Sequence, residues 1–273
     1  MTALDTGTDD LLAEIDDGVA VITMNRPQRR NALSAAMLSA MGAVLAQAEA
    51  DEAVRCVVLT GAAGAFCAGG DVKGMAESSP DGARGRSVDV AIHRQRLSQR
   101  ATSGRLWSMP KPTIAAIPGP AAGAGLSLAL ACDLRYAVPE AVLTTAFAKV
   151  GFSGDYGGTW FLSRLVGSGR AKELYYFSER LSAADAERLG IVNAIFPAAD
   201  FEREVMARAR QLARGPSIAY RYMKENLNRA VTGDLGDCMD LEVTHHVHTG
   251  LTEDHKEAAR AFVEKREPRF AGR

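Results

Sequence analysis

The 273-residue chain carries 32 Lys and Arg against 33 Asp and Glu, a formal net charge of −1, and 47% of its residues are hydrophobic. This composition suits a folded globular protein and excludes a disordered one. The near-zero charge supplies no overall basic field to attract nucleic acid or an anionic membrane surface.

The N-terminal segment contains Asp5, Asp9, Asp10, Glu14, Asp16 and Asp17, with no Lys or Arg before Arg26. That is the reverse of a signal or transit peptide, so a cytoplasmic location is expected. Apolar stretches such as 121–132 are too short to span a bilayer. Cys56, Cys67, Cys132 and Cys238 form no C-x-x-C pair and read as free thiols of a reducing compartment.

Val19 to Asn25 alternates and is β-branched, which predicts a strand ended by Arg26-Pro27. Ser34 is placed to cap a helix with Leu38, Met41, Leu45 and Ala48 on one face. Val54 to Thr60 is near-continuously apolar and reads as a strand buried on both faces. A Gly- and Ala-rich loop follows from Gly61 to Gly70. Residues 76–104 are polar, with a loop expected at 78–82 and helix possible after it. Thr113 to Ile117 reads as a short strand, Gly119 to Gly125 as a loop, and Leu126 to Cys132 as a buried helix. Leu134 to Val138 and Val142 to Phe147 read as two further strands. This alternation argues for an α/β domain. From Tyr156 the pattern turns helical: Ser182 can cap a helix ending near Gly190, and Phe201 to Ala213 is amphipathic. The expected division is a core over 1–200 and a helical part over 201–273.

Two segments share one chemistry. Ala65-Phe66-Cys67-Ala68-Gly69-Gly70-Asp71 follows a buried strand. Gly119-Pro120-Ala121-Ala122-Gly123-Ala124-Gly125 follows another and opens an apolar helix. Small residues let a ligand approach the backbone, and a helix N-terminus offers unpaired N–H groups with partial positive charge. Two such donors converging on one carbonyl oxygen make an oxyanion hole. Tight turns and close packing alone would also account for either segment. No Rossmann fingerprint is present, because Gly123 and Gly125 lack the third glycine.

Taken with Arg26-Pro27 and Arg30-Asn31-Ala32-Leu33, then Lys111-Pro112, Cys132-Asp133, Gly157-Gly158-Thr159 and Leu189-Gly190-Ile191-Val192-Asn193, in that order, the series resembles the crotonase superfamily, the enoyl-CoA hydratase/isomerases. The resemblance implies an α/β spiral of ββα units with a C-terminal helical region that makes trimers, often paired into hexamers. It implies an acyl-CoA thioester as substrate, with coenzyme A part of that substrate and no separate cofactor. It places the oxyanion donors at Gly70 and Ala124. Coenzyme A contacts would fall near Arg30, Ala32, Ala68, Asp71 and Lys73, with Arg30 and Lys73 suited to phosphates.

The same resemblance puts the two water-holding glutamates of the hydratases at Ser127 and Phe147. Neither residue can take a proton from water at neutral pH, and Phe147 becomes a wall of the substrate pocket instead. A carboxylate stands nearby at Asp155, in the register where isomerases of the family move a proton. Dehalogenases of the family also carry a carboxylate here, but their His and Trp partners would fall near Arg100 and on Phe147. One carboxylate suffices to shift a double bond along an enolate. Phe147, Phe152, Tyr156 and Trp160 could desolvate it and raise its pKa. Asp155 is also a fitting turn residue or helix N-cap. Tyr156 is expected to pack or donate a hydrogen bond. His245, His246 and His248 are expected in a solvated or interface role, and His93 and His255 at the surface. Isomerisation is the expected reaction. Hydration of a 2-enoyl-CoA, or a non-catalytic CoA- or RNA-binding role, are the alternatives.

Overall fold

A computed structural model describes residues 1–71 and 87–273. Lys73, one of the expected coenzyme A contacts, lies outside the described residues, as does the loop expected at 78–82.

The backbone of the fold is a seven-stranded sheet in the order β1-β2-β3-β4-β5-β7-β10. β3 (Val19–Met24), β4 (Cys56–Gly61), β5 (Thr113–Ile117), β7 (Leu134–Ala137) and β10 (Ala194–Ile195) run parallel. Every residue of β5 is buried, as a two-sided parallel strand requires. β1 (Thr2–Leu4) and β2 (Leu11–Asp16) add an antiparallel edge. Glu14 and Asp16 mask the alternation of β2, β1 is only three residues long, and sequence reading misses both strands. A second sheet joins β6 (Ala121–Ala122), β8 (Val142–Thr144) and β9 (Leu181–Ser182). The strand expected over 142–147 therefore stops early. Ala146 turns left-handed at φ 58°, and Phe147–Val150 coils into a 3₁₀ turn.

Helix α1 (Ala35–Ala50) begins where Ser34 Oγ accepts the Met37 N–H, and it buries Met37, Met41, Val44 and Leu45. α2 (Val88–Gln99) leads through a π turn over Arg100–Gly104 into the short α3 (Arg105–Ser108). α4 (Ala124–Ala131) is buried along its whole length, so it is apolar all round rather than amphipathic. α5 (Gly158–Phe177) bends at Gly167. α6 (Ala183–Arg188) has the expected Ser182 cap, and α7 spans Phe201–Ala213. The C-terminal helices are α8 (Ser217–Ala230), α9 (Leu235–Gly250) and α10 (Glu253–Glu264). No described helix is long and apolar enough to cross a membrane. Cys56, Cys67, Cys132 and Cys238 are unpaired thiols.

Several motif residues prove to be structural clamps. Lys224 of α8 is 8% exposed and donates to the carbonyls of Leu106 and Lys111 and to Asp133 Oδ2 at 2.9 Å. Asp133 Oδ2 also accepts the Thr113 N–H at 2.8 Å. One buried ammonium thus ties α8 to the central sheet. Lys224→Met leaves those acceptors without it, and should cost about 3 kcal/mol of stability in a urea titration. Asn193 Oδ1 accepts the Arg135 N–H, joining the strand edges near β10.

His245 departs from expectation. It is buried at 8% exposure, with Nδ1 2.6 Å from Asn226 Oδ1 and its ring stacked on Tyr222 at 4.2 Å. It locks α9 to α8 rather than facing solvent. His246, His248, His93 and His255 are more exposed.

Candidate active site

The two glycine-rich segments meet. Phe66 and Cys67 N–H groups both donate to the Pro120 carbonyl, at 3.0 and 3.1 Å, and Ala122 N–H donates to the Cys67 carbonyl at 2.9 Å. On the other side, Leu33 N–H donates to Gly69 C=O and Ala68 N–H to Arg30 C=O. Residues 66–70 are therefore held between 30–33 and 120–122. Gly69 sits at φ +89°, and a Cβ there would lie 2.8 Å from the Ala122 carbonyl and 3.4 Å from the Ala124 nitrogen. A Cβ on Gly125 would lie 2.5 Å from the Cys67 carbonyl oxygen. Glycine at both positions permits this contact between the segments.

Among the described residues, neither the Gly70 N–H nor the Ala124 N–H has a hydrogen-bond partner. Ala124 is the first residue of α4, so its N–H is one that a helix leaves open. Both donors expected from the sequence are thus unspent beside one contact between the loops.

Asn31, not assigned a role from sequence, organises the approach. It is fully buried. Its Nδ2 donates to the carbonyls of Ala62 and Ala65, and its Oδ1 accepts the Arg26 N–H. The signal was available, because Asn between Arg30 and Ala32 recurs in the motif. What it held was not.

The expected coenzyme A residues divide. Arg30 and Ala68 are exposed and joined through their backbones on the edge that leads to Gly70. Ala32 is buried, and its carbonyl accepts from Arg26 Nη1 at 2.7 Å. Asp71 Oδ2 pairs with Arg26 Nη2 at 3.1 Å, which gives this carboxylate a structural ion pair at the end of the loop.

Asp155 lies in a turn built from left-handed residues: Gly154 at φ +116°, Tyr156 at +49° and Gly157 at +75°. Its carbonyl accepts the Gly158 N–H at 3.0 Å, but its carboxylate caps nothing; Gly157 is the N-cap of α5, with no side-chain cap. Instead Oδ1 is buried without a hydrogen-bond partner among the described residues. Burial pushes the carboxyl up from 3.8 to about 6. A buried carboxylate oxygen left unsatisfied is costly, and such an exception calls for an explanation.

Tyr175, which sequence reading passed over, fills the space beside it. Its ring stacks on Phe147 at 5.8 Å with planes 8° apart. A Cβ on Gly158 would lie 2.2 Å from Ser127 Oγ and 2.6 Å from Tyr175 Oη, so those hydroxyls converge over one glycine. Burial, then the Asp155 charge, raises the Tyr175 phenol, and a hydrogen bond with Ser127 opposes that rise. Ser127 Oγ also donates to the Gly123 carbonyl at 3.3 Å. Ser127, Phe147 and Tyr175 thus form one uncharged cluster between the Asp155 turn and the Gly123-Ala124 corner. A twenty-residue offset from Asp155, deep in α5, gave no local sequence cue to Tyr175.

Of the expected desolvating aromatics, Tyr156 and Phe147 are buried. Phe152 is 56% exposed, and Trp160 packs with Trp107 and Phe161. Tyr175 packs on the same turn, its Cε1 lying 3.1 Å from where a Cβ on Gly154 would sit. The nearby Cys67 thiol is pushed up to about 12 by burial, so it stays neutral and is no nucleophile at pH 7.

The family model described as Enoyl-CoA hydratase/isomerase matches residues 14–273. A Rhodobacter capsulatus protein named as a probable enoyl-CoA hydratase is 38% identical over 95% of this chain and 97% of its own. The 1,2-epoxyphenylacetyl-CoA isomerase of Escherichia coli is 35% identical over 96% of this chain and 98% of its own. The crystal structure of an enoyl-CoA hydratase from Bacillus anthracis superposes with a TM-score of 0.88 at 33% identity, covering 97% of this chain and all of that one. By this family match, these relatives and its α/β fold, the chain belongs to the enoyl-CoA hydratase/isomerase family, the crotonase superfamily.

Proposed function

We propose that the protein moves the double bond of an enoyl-CoA thioester, with Asp155 as the base and the Gly70 and Ala124 N–H groups as the oxyanion hole. The thioester oxygen accepts both N–H groups, which acidifies the α-carbon. Asp155 takes the α-proton of a 3-enoyl-CoA, and the electrons spread over a dienolate. The same carboxyl returns that proton to the γ-carbon, and the product is the conjugated 2-enoyl-CoA. No water enters the balance.

One observation carries this reading. Asp155 has a buried carboxylate oxygen without a hydrogen-bond partner among the described residues, while Asp71, the other carboxylate among the expected site residues, is ion-paired with Arg26. The positions that would hold a hydrating water are Ser127 and Phe147, packed against Tyr175. The isomerase of E. coli among the relatives agrees with it, and the relatives named as hydratases define the rival. The test sets 3-enoyl-CoA isomerisation against 2-enoyl-CoA hydration in the same preparation. A kcat/KM at least about a hundredfold higher for isomerisation is expected. Faster hydration would replace this reading with the hydratase one. The exposed Arg30 and Ala68, with Lys73, are proposed to receive the coenzyme A, and Phe147 to wall the acyl pocket.

We further propose that the C-terminal helices join copies of the chain, as a trimer. Leu235, Met239, Val243 and Val247 recur every four residues on α9 and are each more than half exposed, a stripe that water would leave uncovered. Light scattering should give three chains per particle. The double variant Met239→Glu, Val243→Glu should give one, and an unchanged mass would reject this face as the interface.

A further inference from the structure

Asp155 is aimed by something outside its own turn. At the end of α2 the helix widens into the π turn over Arg100–Gly104, an insertion of a kind that recurs at functional sites. Thr102 Oγ1 donates to the Ser98 carbonyl and Ser103 Oγ to the Gln99 carbonyl, and both of these residues are buried. The widened turn is thereby pinned, and the side chains of Ser98 and Gln99 are half-buried against the Asp155 turn.

Gln99 Oε1 accepts the Tyr156 N–H at 3.1 Å, and Ser98 Oγ lies 3.3 Å from the Tyr156 hydroxyl. That N–H belongs to the peptide group that follows Asp155. The carbonyl of the same peptide accepts the Gly158 N–H at 3.0 Å. Both polar ends of one peptide are held, from opposite sides, and this sets ψ of Asp155. The hold matters because Tyr156 is left-handed at φ +49°, a region that a bulky residue keeps only when its surroundings impose it. Without Gln99 the Tyr156 peptide would have one tether fewer, and the carboxylate could swing toward solvent.

We propose that Gln99 is a positioning residue for the proton transfer: through the strained Tyr156 peptide it keeps the Asp155 carboxylate in the pocket beside the paired N–H donors, with Ser98 steadying the Tyr156 ring. The proposal rests on Asp155 being the base. Among the described residues, the titratable groups that feel the Asp155 charge are the phenols of Tyr156 and Tyr175, both raised by burial and neutral at pH 7. Any movement of the acid limb near pH 6 therefore reports the carboxyl itself.

The experiment compares Gln99→Met, Gln99→Glu and Asp155→Asn across pH with 3-enoyl-CoA. Met keeps the length and loses the acceptor. Its kcat is expected to fall about ten- to a hundredfold with KM changed by less than about threefold, as for a misaimed catalytic group. Its acid limb is expected to move below pH 6, because the freed carboxylate gains water. Glu keeps an acceptor oxygen at the same reach and is expected to restore most of kcat. A Gln99→Met enzyme with normal kcat and an unmoved limb overturns the proposal. So does a loss of rate with an unmoved limb, or one that Gln99→Glu does not repair, since either marks a merely structural role. Full isomerisation by Asp155→Asn would instead overturn the base assignment beneath it.

Discussion

Asp155→Asn should abolish double-bond migration and at the same time stabilise the protein, with both effects largest above pH 6, where the native carboxyl is ionised, and fading as it protonates. The kinetic part rests on the loss of the group that carries the proton. A positioned general base is worth about 10²- to 10⁴-fold, so a fall in kcat of about a thousandfold is expected. In the unmodified enzyme only the ionised carboxylate can act. Its pKa is pushed up to about 6, so kcat/KM should be flat above pH 7 and fall about tenfold per unit below pH 6. The stability part has the other sign. A carboxyl whose folded pKa lies above its unfolded value of 3.8 binds its proton more tightly in the folded state. Its contribution is most favourable below pH 3.8, and is lost as pH rises through 6. At pH 7 the folded protein carries a desolvated charge that the unfolded chain solvates freely. Asn keeps the shape and removes the charge. After a discount for its partial exposure, the gain should be about 1 kcal/mol at pH 7, vanishing near pH 3. Urea titrations of both proteins at pH 7 and pH 4 would read it. A variant that is both fully active and no more stable would leave the buried, unpartnered Oδ1 without a role.

How much of this was legible before the structure depends on the range over which each signal acts. Ser34 and Ser182 announced their helices correctly, because a cap is a contact between residues three apart. The parallel strands β4 and β5 were legible because burial on both faces leaves a continuous apolar run, whereas the two-residue β10 was not. β1 and β2 were not, because β1 is only three residues long and Glu14 and Asp16 break the pattern of β2. Gly70, Ala124 and Asp155 could be singled out because family motifs mark them. Asn31, Gln99 and Tyr175 were not, because their roles exist only across the fold. Asn31 reaches residues 62 and 65, Gln99 reaches 156, and Tyr175 meets Ser127. The Asp71 carboxylate likewise pairs with Arg26, a partner 45 positions away that no local pattern announces.

The oxyanion hole is open to an equally sharp prediction at a residue that touches no substrate. Gly125 follows the donor Ala124 and faces the other donor loop. In Gly125→Ala the new Cβ would sit 2.5 Å from the Cys67 carbonyl oxygen, 2.6 Å from its Cβ and 2.8 Å from its Sγ. The carbonyl cannot yield cheaply, because it accepts the Ala122 N–H, while Cys67 N–H is committed to Pro120. Relief has to come from separating α4 from residues 66–70, and that separation moves the Ala124 N–H away from the Gly70 N–H. Donors aimed at a developing oxyanion are worth about 10²- to 10³-fold each, so kcat should fall by about that much. The overpacking itself should cost about 2 kcal/mol of stability. Gly169→Ala is the control. It lies in α5 with nothing within 4 Å of its Cβ position and no positive φ, so it should leave kcat unchanged and stabilise slightly. The decisive comparison is kcat against acyl-CoA affinity in folded Gly125→Ala. Rate lost with affinity largely kept is what a displaced oxyanion hole produces, because the enolate draws more from the two N–H groups than the ground-state thioester does. Equal losses in both would mean that the loop contact serves binding alone. Full activity would mean that the convergence of these two loops is not what holds the enolate.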